Sequence, residues 1–113
     1  MTHTHHYTLI KATGETEQGS MTSDSHEPGY HAIKAAISGY FDEPFEHVAV
    51  LHKGKRTDMF VGETSSINGR HARNDQATAI YRNNSLTRDP DLDPESIPDI
   101  KGPAVVFAGR VWF

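Results

Sequence analysis

Short apolar runs separated by long polar stretches divide the chain into a small number of predicted elements. Apolar and polar positions alternate in Tyr7–Thr13, which predicts a strand. From Pro28 to Gly39, apolar side chains recur at intervals of three and four residues, which predicts a helix that ends at the glycine. Phe45–His52 and Thr57–Glu63 are rich in β-branched and aromatic residues, and the glycine-containing turn between them predicts a β-hairpin.

The second half of the chain contains fewer apolar positions. Asn74 is a good N-cap residue, and a helix is predicted from there to about Arg82. Ala104–Phe107 is an uninterrupted apolar run, which predicts a buried strand. The order β-α-β-β-α-β predicts an α+β fold, with a mixed sheet of about four strands and two short helices on one face.

The polar stretches are predicted to lie outside the sheet. The ranges are a flexible N-terminus at residues 1–6, a polar loop at 14–27 and an acidic, proline-rich loop at 83–103. A chain of 113 residues has the length of one domain, so we predict a single domain over 1–113.

Composition excludes several classes of protein. The chain has no cysteine, so disulfide scaffolds, iron–sulfur clusters and thiol nucleophiles are excluded. No apolar run approaches the ~20 residues that a membrane span needs. We therefore expect a protein of the cytoplasm that has no membrane partner.

The net charge of −4 is unevenly distributed. Five acids and no basic residue lie in one stretch of the long loop: Asp89, Asp91, Asp93, Glu95 and Asp99. This stretch is either an arm that docks on a basic surface or a solvated loop held open by its own repulsion.

Three basic residues form a second candidate binding surface. Lys53, Lys55 and Arg56 lie at the predicted hairpin tip, where they could contact phosphates. The overall pI of about 6.0 argues against nucleic acid as the partner, since proteins that bind it usually carry a strongly basic domain.

The segment from residue 63 to residue 74 is the candidate catalytic region. It follows a strand and precedes a helix, a position where loops bind anions. Glu63 and His71 could form an acid/base pair if they converge. The candidate binding residues in the segment are Asn68, Arg70, Arg73 and Asn74. In the alternative interpretation, the asparagines are turn and capping residues and the charged side chains are merely exposed.

We predict neither a metal nor a cofactor. His3, His5 and His6 are close in sequence, but a terminal segment lacks the fixed geometry of a metal site. No nucleophile elbow and no phosphate-binding loop occurs in the sequence. The chain ends on Val-Trp-Phe, and Trp112 is predicted to pack either in the core or at an interface between two copies.

Several short motifs in order resemble a known family. They begin with Ser-Gly-Tyr-Phe at residue 38 and continue with Val-Gly-Glu at 61, Ile-Asn-Gly at 67, Asn-Asp-Gln-Ala-Thr at 74 and Ile-Lys-Gly-Pro-Ala at 100. This set resembles the domain of unknown function numbered three-eight-four-six, which is common in bacteriophages and mobile elements. The family has no established catalytic residues, and the resemblance implies a small accessory protein acting in a bacterial cell.

The expected function is therefore protein binding, with a host or phage protein or a second copy of the chain as partner. An alternative from another class is a small hydrolase or ligand-binding enzyme that uses the 63–74 segment. A further alternative is a nucleic-acid binding module.

Overall fold

Five strands and two α-helices make up the described part of the chain. The computed structural model describes residues 2–41, 44–52, 54–62, 72–93, 96–97 and 99–111. The elements in chain order are β1 (His3–Ile10), β2 (Thr16–Ser23), α1 (Gly29–Ile37), β3 (Phe45–His52), β4 (Lys55–Gly62), α2 (Asp75–Arg88) and β5 (Ala104–Phe107). A short 3-10 turn, Ser38–Tyr40, follows α1.

The strands form one sheet in the order β2-β1-β5-β4-β3. Every neighbouring pair is antiparallel, because β5 returns between β1 and β4 and runs against both. The predicted α+β class is confirmed. The predicted element order is roughly right, and the sheet has five strands where about four were predicted. The prediction of a mixed sheet is wrong, because every strand pair described is antiparallel.

The fifth strand comes from the range predicted to be a polar loop at 14–27. Thr16–Ser23 pairs with β1 along all eight residues, after a turn in which Gly14 has a φ of 95°. The strand escaped prediction because Met21 is its one buried residue, so it shows no apolar alternation. The same pairing places His3–His6 within β1, which corrects the prediction that residues 1–6 lie outside the sheet.

The two helices pack on opposite faces of the sheet, so the prediction that they share one face is wrong. Consecutive strand residues point to opposite faces, and both Leu9 and Ile10 are 4% exposed. Leu9 packs with Ile33 and Ile37 of α1, whereas Ile10 packs with Ala77 of α2. The central strands are thus buried on both faces. This explains why β5 is an uninterrupted apolar run, since the side chains on both of its faces lie in the core.

The predicted hairpin is confirmed, with Gly54 at a φ of 76° in its turn and β4 beginning at Lys55. The second helix begins where predicted, after Asn74, but continues to Arg88. The first six residues of the predicted 83–103 loop are therefore helical, and polar side chains on α2 hid that extension from the apolar pattern.

Tyr7 joins three elements on the α1 face of the sheet. Its ring lies against Gly19 of β2 and 5.4 Å from the Phe107 ring. Its hydroxyl forms a 2.8 Å hydrogen bond with the Tyr40 hydroxyl. A Cβ atom on Gly19 would overlap the Tyr7 ring, so glycine is required at this strand position.

Gly19→Ala is expected to lower the free energy of unfolding by about 1–3 kcal/mol, because the added methyl group displaces a buried ring. Gly39→Ala is the matched control, since a Cβ atom there meets no atom within 4 Å. Chemical denaturation of both variants tests the prediction. Equal stability of the two variants would contradict the packing of Tyr7 on Gly19.

Stability at high pH should depend on Tyr7. Burial, and then the hydrogen bond to Tyr40, raise the pKa of Tyr7 from 10.0 to about 12. The unfolded chain therefore releases this proton before the folded chain does. The contribution to the free energy of unfolding is complete below pH 10 and is lost as the pH rises through 12.

The matching experiment compares wild type with Tyr7→Phe by denaturation between pH 9 and pH 12, about the range of tyrosine ionisation. The difference in free energy between them should shrink across this range. In Tyr40→Phe, part of the decrease in the free energy of unfolding with pH should remain, because burial is the larger cause of the raised pKa of Tyr7. A constant difference between wild type and Tyr7→Phe would disprove this assignment.

Candidate functional site

The two edges of the sheet differ in how their peptide groups are satisfied. At β3, the carboxamide of Asn84 on α2 accepts a hydrogen bond from the Leu51 N–H and donates one to the Ala49 carbonyl, both at 3.2 Å. Asn84 is buried, and its side chain occupies the place of a neighbouring strand's peptide. The helix thereby closes this part of the β3 edge.

The β2 edge carries no neighbouring strand in the described structure. The Lys11 N–H donates to the Glu15 carbonyl at 2.8 Å, which places this pair in hydrogen-bonding register. Since that orientation alternates along an antiparallel pair, every second residue of β2 directs its peptide groups away from β1. These residues are Thr16, Gln18, Ser20 and Thr22, all with exposed side chains.

Negative charge surrounds the β2 edge. Residues 14–27 include Glu15, Glu17, Asp24 and Glu27 and no lysine or arginine. The Lys11 Nζ atom lies 4.0 Å from Glu15 Oε2 and 3.4 Å from Glu17 Oε1, and both glutamate side chains remain more than half exposed. The open edge is therefore a hydrogen-bonding surface with acidic ends.

A groove of about 650 Å³ lies beside β2 on the face that carries α2. Its apolar floor includes Ile10 and Val106, and Ile80 of α2 contributes to its wall. Thr16, Gln18 and Lys55 add hydroxyl, amide and ammonium groups. The volume suits a peptide side chain or a small ligand.

The two described residues of the hairpin tip, Lys55 and Arg56, do not share one patch. Lys55 lines the groove beside β2, whereas Arg56 lines a second cavity at the β3 edge. They separate because consecutive strand residues project to opposite sides. Lys53 lies outside the described residues.

Most of the candidate catalytic segment also lies outside the described residues, as does Trp112. The residues concerned are Glu63, Asn68, Arg70 and His71. The described part includes Arg73, whose Nε lies 3.4 Å from Asp75 and 3.5 Å from Asp99. Asp99 also accepts a 3.0 Å hydrogen bond from Arg82, so one acid of the long loop is neutralised by the folded body.

Asn74 has a structural role that uses its whole side chain. Its Oδ1 accepts from the Ala77 N–H at 3.1 Å, which is the predicted N-cap. Its Nδ2 donates to the carbonyls of Ile10, at 2.9 Å, and Gly102, at 2.8 Å. Since the residue is 1% exposed, it presents no group to a ligand. The capping interpretation of Asn74 is therefore confirmed.

A partly buried histidine–carboxylate pair was not predicted from the sequence. His47 Nε2 lies 2.6 Å from Asp58 Oδ1, and Asp58 is 3% exposed. The second oxygen, Oδ2, accepts from the Val111 N–H at 2.7 Å. The hairpin register could have revealed this pair, because it places both side chains on one face of β3 and β4.

This pair fastens the C-terminal segment to the sheet. An aspartate that orients a histidine is also a frequent arrangement in acid–base catalysis. Here neither residue lines the groove or the cavity at the β3 edge.

Among the residues described, no three histidine, aspartate or glutamate side chains are placed to share a metal ion. Over the same ranges, no helix has the length and apolar character to cross a membrane.

Asn74→Ala is expected to lower the free energy of unfolding by about 3 kcal/mol or more, since it removes a cap and leaves two buried carbonyls without donors. Asn74→Asp keeps the cap acceptor but loses both donors, so it should be nearly as destabilising. Denaturation with Asn83→Ala, an exposed asparagine on the same helix, as the control measures these effects. A stability of Asn74→Asp close to wild type would show that the cap alone matters.

Comparisons with protein-family models, with curated proteins and with solved structures find no match to this chain.

Proposed function

We propose that this protein is a non-enzymatic protein-binding module that takes up an extended segment of its partner as an additional strand beside β2. The observation that carries the proposal is the open β2 edge, where four residues direct their peptide groups outward. Addition of a strand to a free sheet edge is a common mode of peptide recognition.

The contrast between the two edges supports this function. Exposed edges invite association, and proteins usually protect them with lysine, proline, a bulge or a covering element. At β3, Asn84 provides such a cover for the part of the edge at Ala49 and Leu51. The sequence of β2, Thr-Glu-Gln-Gly-Ser-Met-Thr-Ser, contains neither lysine nor proline, and its pairing with β1 is regular over all eight residues. The strand is thus suited to accept a partner.

Charge identifies the chemistry of the partner segment. The acids that flank β2 favour a strand with lysine or arginine at its ends and uncharged residues between them. A second copy of this chain fits less well. Pairing β2 with its own copy brings together two segments that each carry Glu15, Glu17, Asp24 and Glu27.

The biological setting proposed is that implied by the family resemblance: a phage or mobile-element accessory protein acting in the bacterial cytoplasm, with a host or phage protein as partner. The hydrolase alternative stays a prediction. The residues on which it rests all lie outside the described part of the chain: Glu63, Asn68, Arg70 and His71. The nucleic-acid alternative uses four basic residues, Lys53, Lys55, Arg56 and Arg73. Lys53 lies outside the described residues. Of the others, Lys55 and Arg56 line different cavities and Arg73 is paired with acids, which disfavours this alternative.

The proposal makes a prediction for the free protein. The amide protons of Gln18 and Ser20 point outward and should exchange with solvent faster than those of Gly19 and Met21, which face β1. NMR-detected hydrogen exchange measures this alternation. Uniform protection along β2 would show that the edge is already covered in solution.

The binding test screens a random peptide display library against the immobilised protein and titrates a peptide of the selected sequence. Binders should carry basic residues at both ends, bind more weakly as salt rises, and shift the amide signals of Thr16, Gln18, Ser20 and Thr22. Their exchange should slow in the complex.

Ser20→Pro and Ser20→Ala are the matched variants. Proline removes an outward N–H and should abolish binding, whereas alanine retains the N–H and should bind like wild type. Circular dichroism confirms that each variant is folded. Selected peptides that are acidic, or that shift signals away from β2, would contradict the proposal.

A further inference from the structure

The cavity at the β3 edge, of about 250 Å³, brings together two arginines from different elements. Arg56 is the second residue of β4, and Arg88 is the last residue of α2. The rest of the lining is Ala49, Val50, Leu51 and Asn84. The cavity therefore has two cationic groups against a largely apolar strand.

Neither guanidinium has a hydrogen bond or an ion pair within the structure described. The chain is rich in carboxylates, with 15 acids to 11 basic residues. The other described arginines are engaged: Arg73 with Asp75 and Asp99, Arg82 with Asp99, and Arg110 with a partner of its own. Arg56 and Arg88 are thus available to a ligand.

The fold fixes the positions from which these two side chains extend. Asn84 lies one helical turn before Arg88 and binds the Leu51 N–H and the Ala49 carbonyl. Arg56 is the register partner of Leu51 across the hairpin. Both arginines therefore extend from elements that are joined at Leu51, so their backbone positions relative to each other are fixed before a ligand binds.

The nearest acid in sequence has another role. The Asp89 carboxylate accepts a 3.3 Å hydrogen bond from the Asp91 N–H and stabilises the turn that follows α2. It does not line the cavity. Among the described residues that line the cavity there is no carboxylate to offset the two guanidinium charges.

We propose that this cavity binds the phosphate group of a small molecule. Guanidinium groups match phosphate oxygens in paired hydrogen bonds. Two positive charges favour the phosphate dianion over a carboxylate, which carries a single charge. A volume of about 250 Å³ holds roughly eight water molecules, which is room for a phosphate and a short attached group.

The proposal is independent of strand addition at β2, because β2 and β3 are the opposite edges of the sheet. Either site can fail its test while the other remains. Peptide binding is read from the β2 amide signals, and phosphate binding is read from the arginine side chains.

The experiment titrates the wild-type protein with inorganic phosphate at constant ionic strength and follows the arginine Nε–H signals by NMR. The signals of Arg56 and Arg88 should shift together and saturate. Glucose 6-phosphate forms a second arm. Tighter binding of the sugar phosphate points to a phosphorylated metabolite, and equal binding points to free phosphate; both results support a phosphate site.

Arg56→Gln and Arg88→Gln should each weaken phosphate binding roughly tenfold or more, because each removes charge-assisted hydrogen bonds. Lys55→Gln is the matched control, with the same change of charge one residue away in the other groove. Its affinity should stay close to that of wild type.

Three results would overturn the proposal. The first is a wild-type titration in which the Arg56 and Arg88 signals do not saturate. The second is an equal loss of affinity in Lys55→Gln, which would indicate a general charge effect. The third is tighter binding of a single-stranded oligonucleotide with a steep salt dependence, which would assign the arginines to nucleic acid.

Discussion

The carboxamide of Asn74 is the interaction on which the rest of the structure depends. It caps α2 and holds the last carbonyl of β1, 64 residues away in sequence, together with the Gly102 carbonyl before β5. Backbone bonds on either side, Asn74 N–H to Ile100 O and Gly102 N–H to Ala72 O, extend this junction into a short ladder. The helix, the first strand and the central strand therefore share one buried, fully bonded group.

That junction places β5 in the middle of the sheet, buried on both faces between two helices. With most of the centre packed against α1 and α2, the sheet is accessible at its two edges and in the groove beside β2. One residue makes the edges unequal, since Asn84 bonds the Leu51 N–H and the Ala49 carbonyl of β3, and no described side chain bonds the outward peptide groups of β2. The candidate binding surface follows from this asymmetry.

Charge follows the same division. The acidic loop is partly neutralised by the body, because Arg73 and Arg82 both approach Asp99. The remaining charges are unevenly distributed, with acidic residues around β2 and the unpaired Arg56 and Arg88 at β3. The net charge of −4 thus conceals two edges of opposite character, which suit a basic segment and an anion respectively.

The sequence alone determined the α+β class, the β3–β4 hairpin, the N-cap at Asn74 and the approximate position of both helices. Each of these rests on contacts between residues close in the chain, which local patterns report. Only the tertiary structure decided that polar Thr16–Ser23 is a strand and that the helices lie on opposite faces. Strands pair through backbone N–H and C=O groups that nearly every residue has. The pattern of side chains therefore does not predict which edge of the sheet lacks a neighbouring strand.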